Sequence, residues 1–233
     1  MPNASPPLQP YGVSHCVALI LILAVPLVAS RLDRTNPDTH WASKIAWSLA
    51  GIILLNRMAI LVYEVDAGAF SWRDQIPLHL CDLVGVTTVL ALILRGPRIF
   101  EIAYFWGLAG TVQAVITPDL VHGFPDLRFF LFFIGHGGII AGILFCALGL
   151  RLRVGPASIL RSTLWLYAYA IVAGALNAAM DANYGYLCRK PTEPSLLDLL
   201  GPWPIYIVVM AAIAPALFAL LYLPYFIRDR LRG

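Results

Sequence analysis

One cysteine in this chain lies between a histidine and an aspartate. Cys81 lies in the run Pro77-Leu78-His79-Leu80-Cys81-Asp82-Leu83, between His79 and Asp82. A cysteine acts as a nucleophile only as its thiolate, which needs a base or a positive charge close by. His79 is two residues away, and on a regular helix that spacing points to a different face. His136 is a better partner. It sits in Gly135-His136-Gly137-Gly138, where small residues let helices approach closely. A cysteine and an imidazole brought together from separate segments are the signature of acyl transfer through a thioester. Each of these residues also has a plain structural reading. The glycines can serve tight packing alone, and Arg57 can pair with Asp82 or Asp181 merely to hold helices together. No GxxxxGK[ST], HExxH or cysteine cluster occurs, so no nucleotide, metal or other cofactor is expected.

The elements that must position these groups are membrane helices. The chain has 233 residues, 60% hydrophobic and 12% charged, with a mean hydropathy of +0.78. A soluble domain is about half apolar and about a quarter charged. This excess excludes a soluble enzyme, a disordered chain and a nucleic-acid binder, and the net charge of +3 comes without a basic block. About 20 apolar residues are needed per crossing. Seven stretches qualify, at about 11–30, 41–63, 77–94, 99–117, 127–150, 159–184 and 203–226. The expected architecture is all-α, a polytopic domain of seven transmembrane helices spanning 1–233. Asn36-Pro37-Asp38, Arg95-Gly96-Pro97-Arg98 and Gly201-Pro202-Trp203-Pro204 supply the turns between spans.

Lys and Arg concentrate in one set of connections, at Arg31, Arg34, Lys44, Arg95, Arg98, Arg151, Arg153, Arg161 and the tail Arg228–Arg232. The positive-inside rule makes that set cytoplasmic, so the N-terminus is expected outside and the C-terminus inside. Most polar residues within spans then fall in the outer half. His79, Cys81 and Asp82 open the third span, and Gln113 and Thr117 close the fourth. His136 lies roughly 12 Å below Arg128 along the fifth. Asn56 and Arg57 rise toward Glu64 in the second span, and Tyr206 begins the seventh. Asn177, Asp181 and Tyr184 are expected on one stripe of the sixth. Facing helices can gather this set into one polar cavity that opens outward. Glu64, Asp66, Arg73 and Asp74 read as solvated rim, and Trp41, Trp72, Trp203 and Tyr63 as interfacial belt. A retinal protein is excluded, since the seventh span holds no lysine.

The Pro77–Leu83 run is followed by Phe105-Trp106-Gly107-Leu108-Ala109-Gly110, Gln113 and Thr117-Pro118-Asp119. Arg128-Phe129, His136-Gly137, Asn183-Tyr184, Lys190-Pro191, Ser195-Leu196-Leu197-Asp198 and Gly201-Pro202-Trp203-Pro204 complete the pattern. Together they resemble the YwaF-like family of bacterial integral membrane proteins. That family is related to animal proteins called transmembrane protein 164, which resemble lipid acyltransferases acting on ether phospholipids. A wider similarity reaches multi-span lipid hydrolases that use threonine and histidine. The resemblance implies a cysteine nucleophile, falling on Cys81, and a histidine partner, falling on His136.

The resulting expectation is a membrane-embedded lipid acyltransferase or acyl-ester hydrolase in a bacterial cytoplasmic membrane, with a phospholipid or lysophospholipid as partner. Gln113, Asn177 or Arg57 are candidate oxyanion donors. Asp181 or Asp82 can orient the imidazole, His79 can bind a headgroup or act as base, and Tyr206 can support the substrate. The rival expectation is a small-solute transporter or channel using the same polar cavity. The nearly bare inner half gives such a path little lining.

Overall fold

The structure, a computed structural model, describes residues 6–35, 40–71, 73 and 76–231. The turn expected at Asn36-Pro37-Asp38, together with Trp72, Asp74 and Arg232, lies outside them. The architecture is all-helical. The long helices are α1 (Val13–Thr35), α2 (Trp41–Asp66), α3 (Leu80–Leu94), α4 (Pro97–Ile116), α5 (Leu127–Leu148), α6 (Pro156–Met180) and α7 (Ile205–Arg230). Among the described residues six are long and apolar enough to cross a membrane, and α3 is a shorter apolar helix.

Helix ends follow local chemistry. Arg95 takes a left-handed conformation (φ 54°) that stops α3, and Pro97 starts α4 where its missing N–H is harmless. The Asp126 carboxylate caps α5 by accepting from the Arg128 amide at 2.8 Å. Pro156 opens α6 in the same way as Pro97 opens α4. Midway, α4 widens into a π-turn over Gly107–Thr111, closed by the Val112 N–H on the Gly107 carbonyl. Such turns shift the register of every side chain beyond them and recur at functional sites.

α5 is the central post. It packs against α1, α2, α3 and the π-turn of α4, while α6 and α7 pair at the side and pack on α4. The main core fills the space between α2, α3, α4 and α5, with Val84, Phe105, Ile143 and Phe145 fully buried. Large apolar side chains elsewhere face outward, among them Leu55, Ile171, Val208 and Leu220, as lipid-facing surfaces require. At the end away from Cys81, Glu101 of α4 is buried and receives two hydrogen bonds from Arg161 of α6, at 2.7 and 2.9 Å. This bidentate clamp locks the two helices where a lone carboxylate would be unstable.

Two boundaries depart from the sequence reading. The third span was expected from 77, but helix begins only at Leu80, because a tight turn at Pro77, closed by the Leu78 N–H on the Ile76 carbonyl at 2.7 Å, and extended backbone at His79 come ahead of it. The sixth was expected to reach 184. It stops at Met180, where Asp181 adopts a left-handed conformation (φ 51°) and turns its N–H back onto the Asn177 carbonyl. Asn177, Asp181 and Tyr184 therefore share no stripe.

Beyond Asp181 the chain folds across this end of the bundle. The Asn177 amide holds the loop, accepting from the Tyr184 N–H at 2.7 Å and donating to the Tyr184 carbonyl at 3.1 Å. Gly185 (φ 65°) lies so close to the Tyr169 hydroxyl that a Cβ there would come within 2.7 Å. Glycine takes that conformation without strain and leaves room for the hydroxyl. The Tyr206 hydroxyl donates to the Tyr186 carbonyl, and Trp203 Nε1 donates to the Leu187 carbonyl at 3.1 Å.

Candidate functional site

A cavity of about 340 Å³ opens between α2, α3 and α5 at the end where this loop lies. Small-molecule sites begin at about 300 Å³. Its deep wall is apolar, with Ile53, Val86, Val89, Leu131 and Ile139. Its polar lining comprises Asn56, Arg57, Tyr63, Glu64, Cys81, Asp82, Arg128 and His136.

α2 and α5 run antiparallel in a register set by two contacts. Near the mouth, Arg128 Nε donates to the Tyr63 hydroxyl at 2.6 Å. Seven residues further in, the Asn56 amide lies against Gly135, where a Cβ would meet Nδ2 at 2.5 Å. Gly135 thus allows α2 to close on α5 just beside His136. His136 Nδ1 bonds the Phe132 carbonyl at 3.0 Å, and its ring stacks on Phe132 at 4.3 Å. A carbonyl can only accept, so Nδ1 carries the proton and Nε2 keeps the lone pair.

Cys81 occupies the first turn of α3, just after His79 at the helix N-cap. Among the described residues the amides of Leu80 and Cys81 carry no hydrogen bond. They are the donors that a helix N-terminus leaves unpaired. The Thr111 hydroxyl, at the end of the π-turn, lies beside the thiol. It is buried and closes no hydrogen bond of regular geometry. Asp82 pairs with Arg57 across to α2 at 3.6 Å, and its charge also reaches His136. Cys81 and His136 line the same cavity, and no hydrogen bond joins them among the described residues.

The structure thus gathers Cys81, His136, Asp82 and Arg57 around one cavity and sets the other candidates elsewhere. His79 meets the Tyr184 ring edge-on at 5.4 Å. Asn177 is turned to the loop, its amide oxygen and one amide N–H engaged by Tyr184, and it lies off the cavity lining. Asp181 is exposed at the end of α6, away from the imidazole that it was expected to orient. Tyr206 is fully buried under the loop. Gln113 lies past the π-turn on α4, off the cavity lining. The Phe132 carbonyl does the orienting that was expected of a carboxylate.

Three neighbours of the thiol escaped sequence reading: Thr111, Tyr169 and Tyr186. The hydroxyl of Tyr169 donates to the Leu78 carbonyl at 2.9 Å, bracing the lead-in to α3. Tyr186 donates to Asp119 at 3.1 Å. Burial, with Asp119 beside it, pushes the Tyr186 phenol well above its ordinary range. The glycines of Gly107-Leu108-Ala109-Gly110 were the available signal for Thr111, since they mark where α4 can deform.

Comparison with known proteins adds a family. No solved structure matches the chain. A protein of Treponema pallidum (strain Nichols), itself uncharacterized, is 30% identical over 177 residues, covering 76% of this chain and 73% of that one. The TMEM164 family profile matches residues 10–222. A match of that extent, over an all-helical chain with at least six membrane-length helices, makes this a multi-pass membrane protein belonging to the TMEM164 family.

Proposed function

We propose that the protein transfers or hydrolyses lipid acyl esters through an acyl-cysteine on Cys81. One observation carries this reading. A cysteine in the first turn of a helix and a histidine with its Nε2 lone pair available line a single cavity between apolar helices.

The chemistry runs in two displacements. The Cys81 proton passes to His136 Nε2, through a water or after rotation of the thiol. The sulfur then attacks the ester carbonyl carbon. A C–S bond forms, the C–O bond breaks, and His136 returns the proton to the departing glycerol oxygen. In the second half a lyso-lipid hydroxyl, or water, gives its proton to His136 and attacks the thioester, and the thiol is restored. Charge on the carbonyl oxygen is met by the Leu80 and Cys81 amides, with Arg57 beside them. The Thr111 hydroxyl, beside the sulfur, stabilises the thiolate.

The distribution of Lys and Arg supports a cavity in the outer half of the bilayer. A phospholipid enters sideways, its ester at the level of α3's first turn. The test uses purified protein and a phospholipid with a radiolabelled acyl chain. A hydroxylamine-labile label on the native protein is expected. It should be absent in Cys81→Ser and reduced roughly 100-fold in rate in His136→Ala. Lack of label on the native chain, or remodelling that survives Cys81→Ser, overturns the proposal. Solute uptake into liposomes that persists in Cys81→Ala would instead favour transport.

A further inference from the structure

The long loop between α6 and α7 ends in an apolar surface that the acyl-transfer reading does not use. We infer that the stretch 196–205 is an interfacial anchor, seated in the leaflet on the cavity side. Leu196, Leu199 and Trp203 lie among lipids at the boundary between headgroups and acyl chains. The inference is independent of any chemistry at Cys81.

Leu196–Leu200 is a short 3₁₀-helix, started by the Ser195 N–H on the Asp198 carboxylate at 2.9 Å. In a 3₁₀-helix side chains three apart eclipse one another. Leu196 and Leu199 therefore stack into one ridge, and they are 43% and 81% exposed. Asp198 falls off that ridge, and its charge is answered within the protein. Lys190 stands 3.4 Å from it and lies 5.6 Å from the centre of the Tyr206 ring. The turn thus keeps its charge against the protein and presents leucine outward. Water gains nothing from such a ridge, whereas the headgroup–acyl boundary takes up an apolar face of this kind.

The surface continues past the turn. Trp203 is 61% exposed, and Nε1, the polar atom of its ring, donates to the Leu187 carbonyl at 3.1 Å. Its free surface is then apolar ring, and indoles gather at membrane interfaces. Pro202 and Pro204 carry no N–H, so the backbone here shows lipid few unpaired donors. Ile205 and Val208, both exposed, carry the apolar surface on to the lipid-facing side of α7. The 3₁₀-helix itself packs on α7. Gly201 (φ 94°) turns the chain back onto Ile205, where a Cβ would lie 3.4 Å from the isoleucine side chain.

Depth agrees. From Ile205 to Arg228, α7 rises about 35 Å. The hydrocarbon layer is about 30 Å thick, and the bilayer with its interfaces about 40–45 Å. With Arg228 at one edge of the hydrocarbon, Ile205 stands roughly 5 Å beyond the other, inside the interface and short of bulk water. Helix tilt lowers it further. The leucine ridge packs beside this level. Anchored there, the stretch holds from the membrane side the same loop that carries Tyr184 and Tyr186 across the Cys81 end of the bundle.

A depth measurement tests the inference. Protein with Cys16, Cys81 and Cys188 replaced by alanine, and with Leu199→Cys added, is spin-labelled in liposomes of phosphatidylethanolamine and phosphatidylglycerol. Collisions of the label with oxygen, which concentrates in lipid, are compared with collisions with a neutral nickel chelate, which stays in water. The label at 199 should favour oxygen severalfold and lie about 5–10 Å below the headgroup surface. The same label on Cys188, an exposed thiol of the same loop, should show the reverse preference when Cys16 and Cys81 alone are replaced. A label at 199 as open to nickel as the one at 188 overturns the anchor. The second measurement leaves position 199 unlabelled. Leu196→Gln combined with Leu199→Gln should free the loop, read as severalfold faster motion of the label on Cys188 at an unchanged thermal midpoint. Motion at 188 that these substitutions leave as it was overturns the anchoring, whatever the depth of 199.

Discussion

A single amide shows how much of this site is scaffold. Asn177 sits in a span where a polar group reads as catalytic, yet both its atoms are taken by the Tyr184 backbone. Asn177→Ala should strip a buried N–H and carbonyl of partners and destabilise the fold by about 1–3 kcal/mol, read as a lower thermal midpoint with the Cys81 chemistry unchanged per folded molecule. Gly135 is the opposite case. A methyl there meets the Asn56 amide, so Gly135→Ala should force α2 from α5 and cost about 1–3 kcal/mol. Because the wedge falls beside His136, acyl-enzyme formation should slow as well, in single-turnover labelling at matched folded protein. The sequence marks Gly135 as a place for close approach, but it cannot show which side chain comes to fill it. Nor does spacing reveal Thr111, whose position beside Cys81 depends on a π-turn that no hydrophobic period encodes.

The helices themselves were legible because a bilayer demands long apolar runs, and α2, α5 and α7 begin within two residues of the expected starts. The breaks were harder. Pro77-Leu78-His79 is apolar enough to pass as helix, and the stripe through Asn177, Asp181 and Tyr184 keeps helical spacing across a left-handed residue. In the long loop, Asp198 accepts from the Ser195 N–H at 2.9 Å and pairs with Lys190 at 3.4 Å. Above all the Ser195 amide, then Lys190, holds its carboxyl below the usual carboxylate range. A depressed folded value adds stability in full above the unfolded value, here 3.8, and loses it as pH falls through the folded one. The loop should thus become protease-sensitive below about pH 4, and Asp198→Asn should show that sensitivity already at neutral pH. Identical cleavage of both proteins from pH 3 to 7 would refute the assignment.

At the level of the whole molecule, the orientation proposed rests on charge. Arg31, Lys44, Arg95, Arg98, Arg151 and Arg153 cluster at the end opposite the cavity. Cys188, a free and exposed thiol, lies in the loop on the cavity side. In a variant retaining only that cysteine, a membrane-impermeant maleimide added to intact cells should label it at once. Labelling only after the membrane is broken would invert the orientation and put the cavity in the cytoplasmic leaflet.

The brevity of α3 carries a last consequence. Fifteen residues rise about 22 Å, against a hydrocarbon layer of about 30 Å. Along its outward stripe of Val86, Leu90 and Leu94, neighbouring lipids must dip to keep their polar parts wet, so the leaflet dimples inward beside the thiol. Under the acyl-transfer proposal, this would bring the water boundary down to the sulfur rather than requiring an ester to rise to it. Catalysis should therefore track bilayer thickness, fastest in thin membranes of short-chain lipid and slower as the chains lengthen, with headgroup and protein held constant.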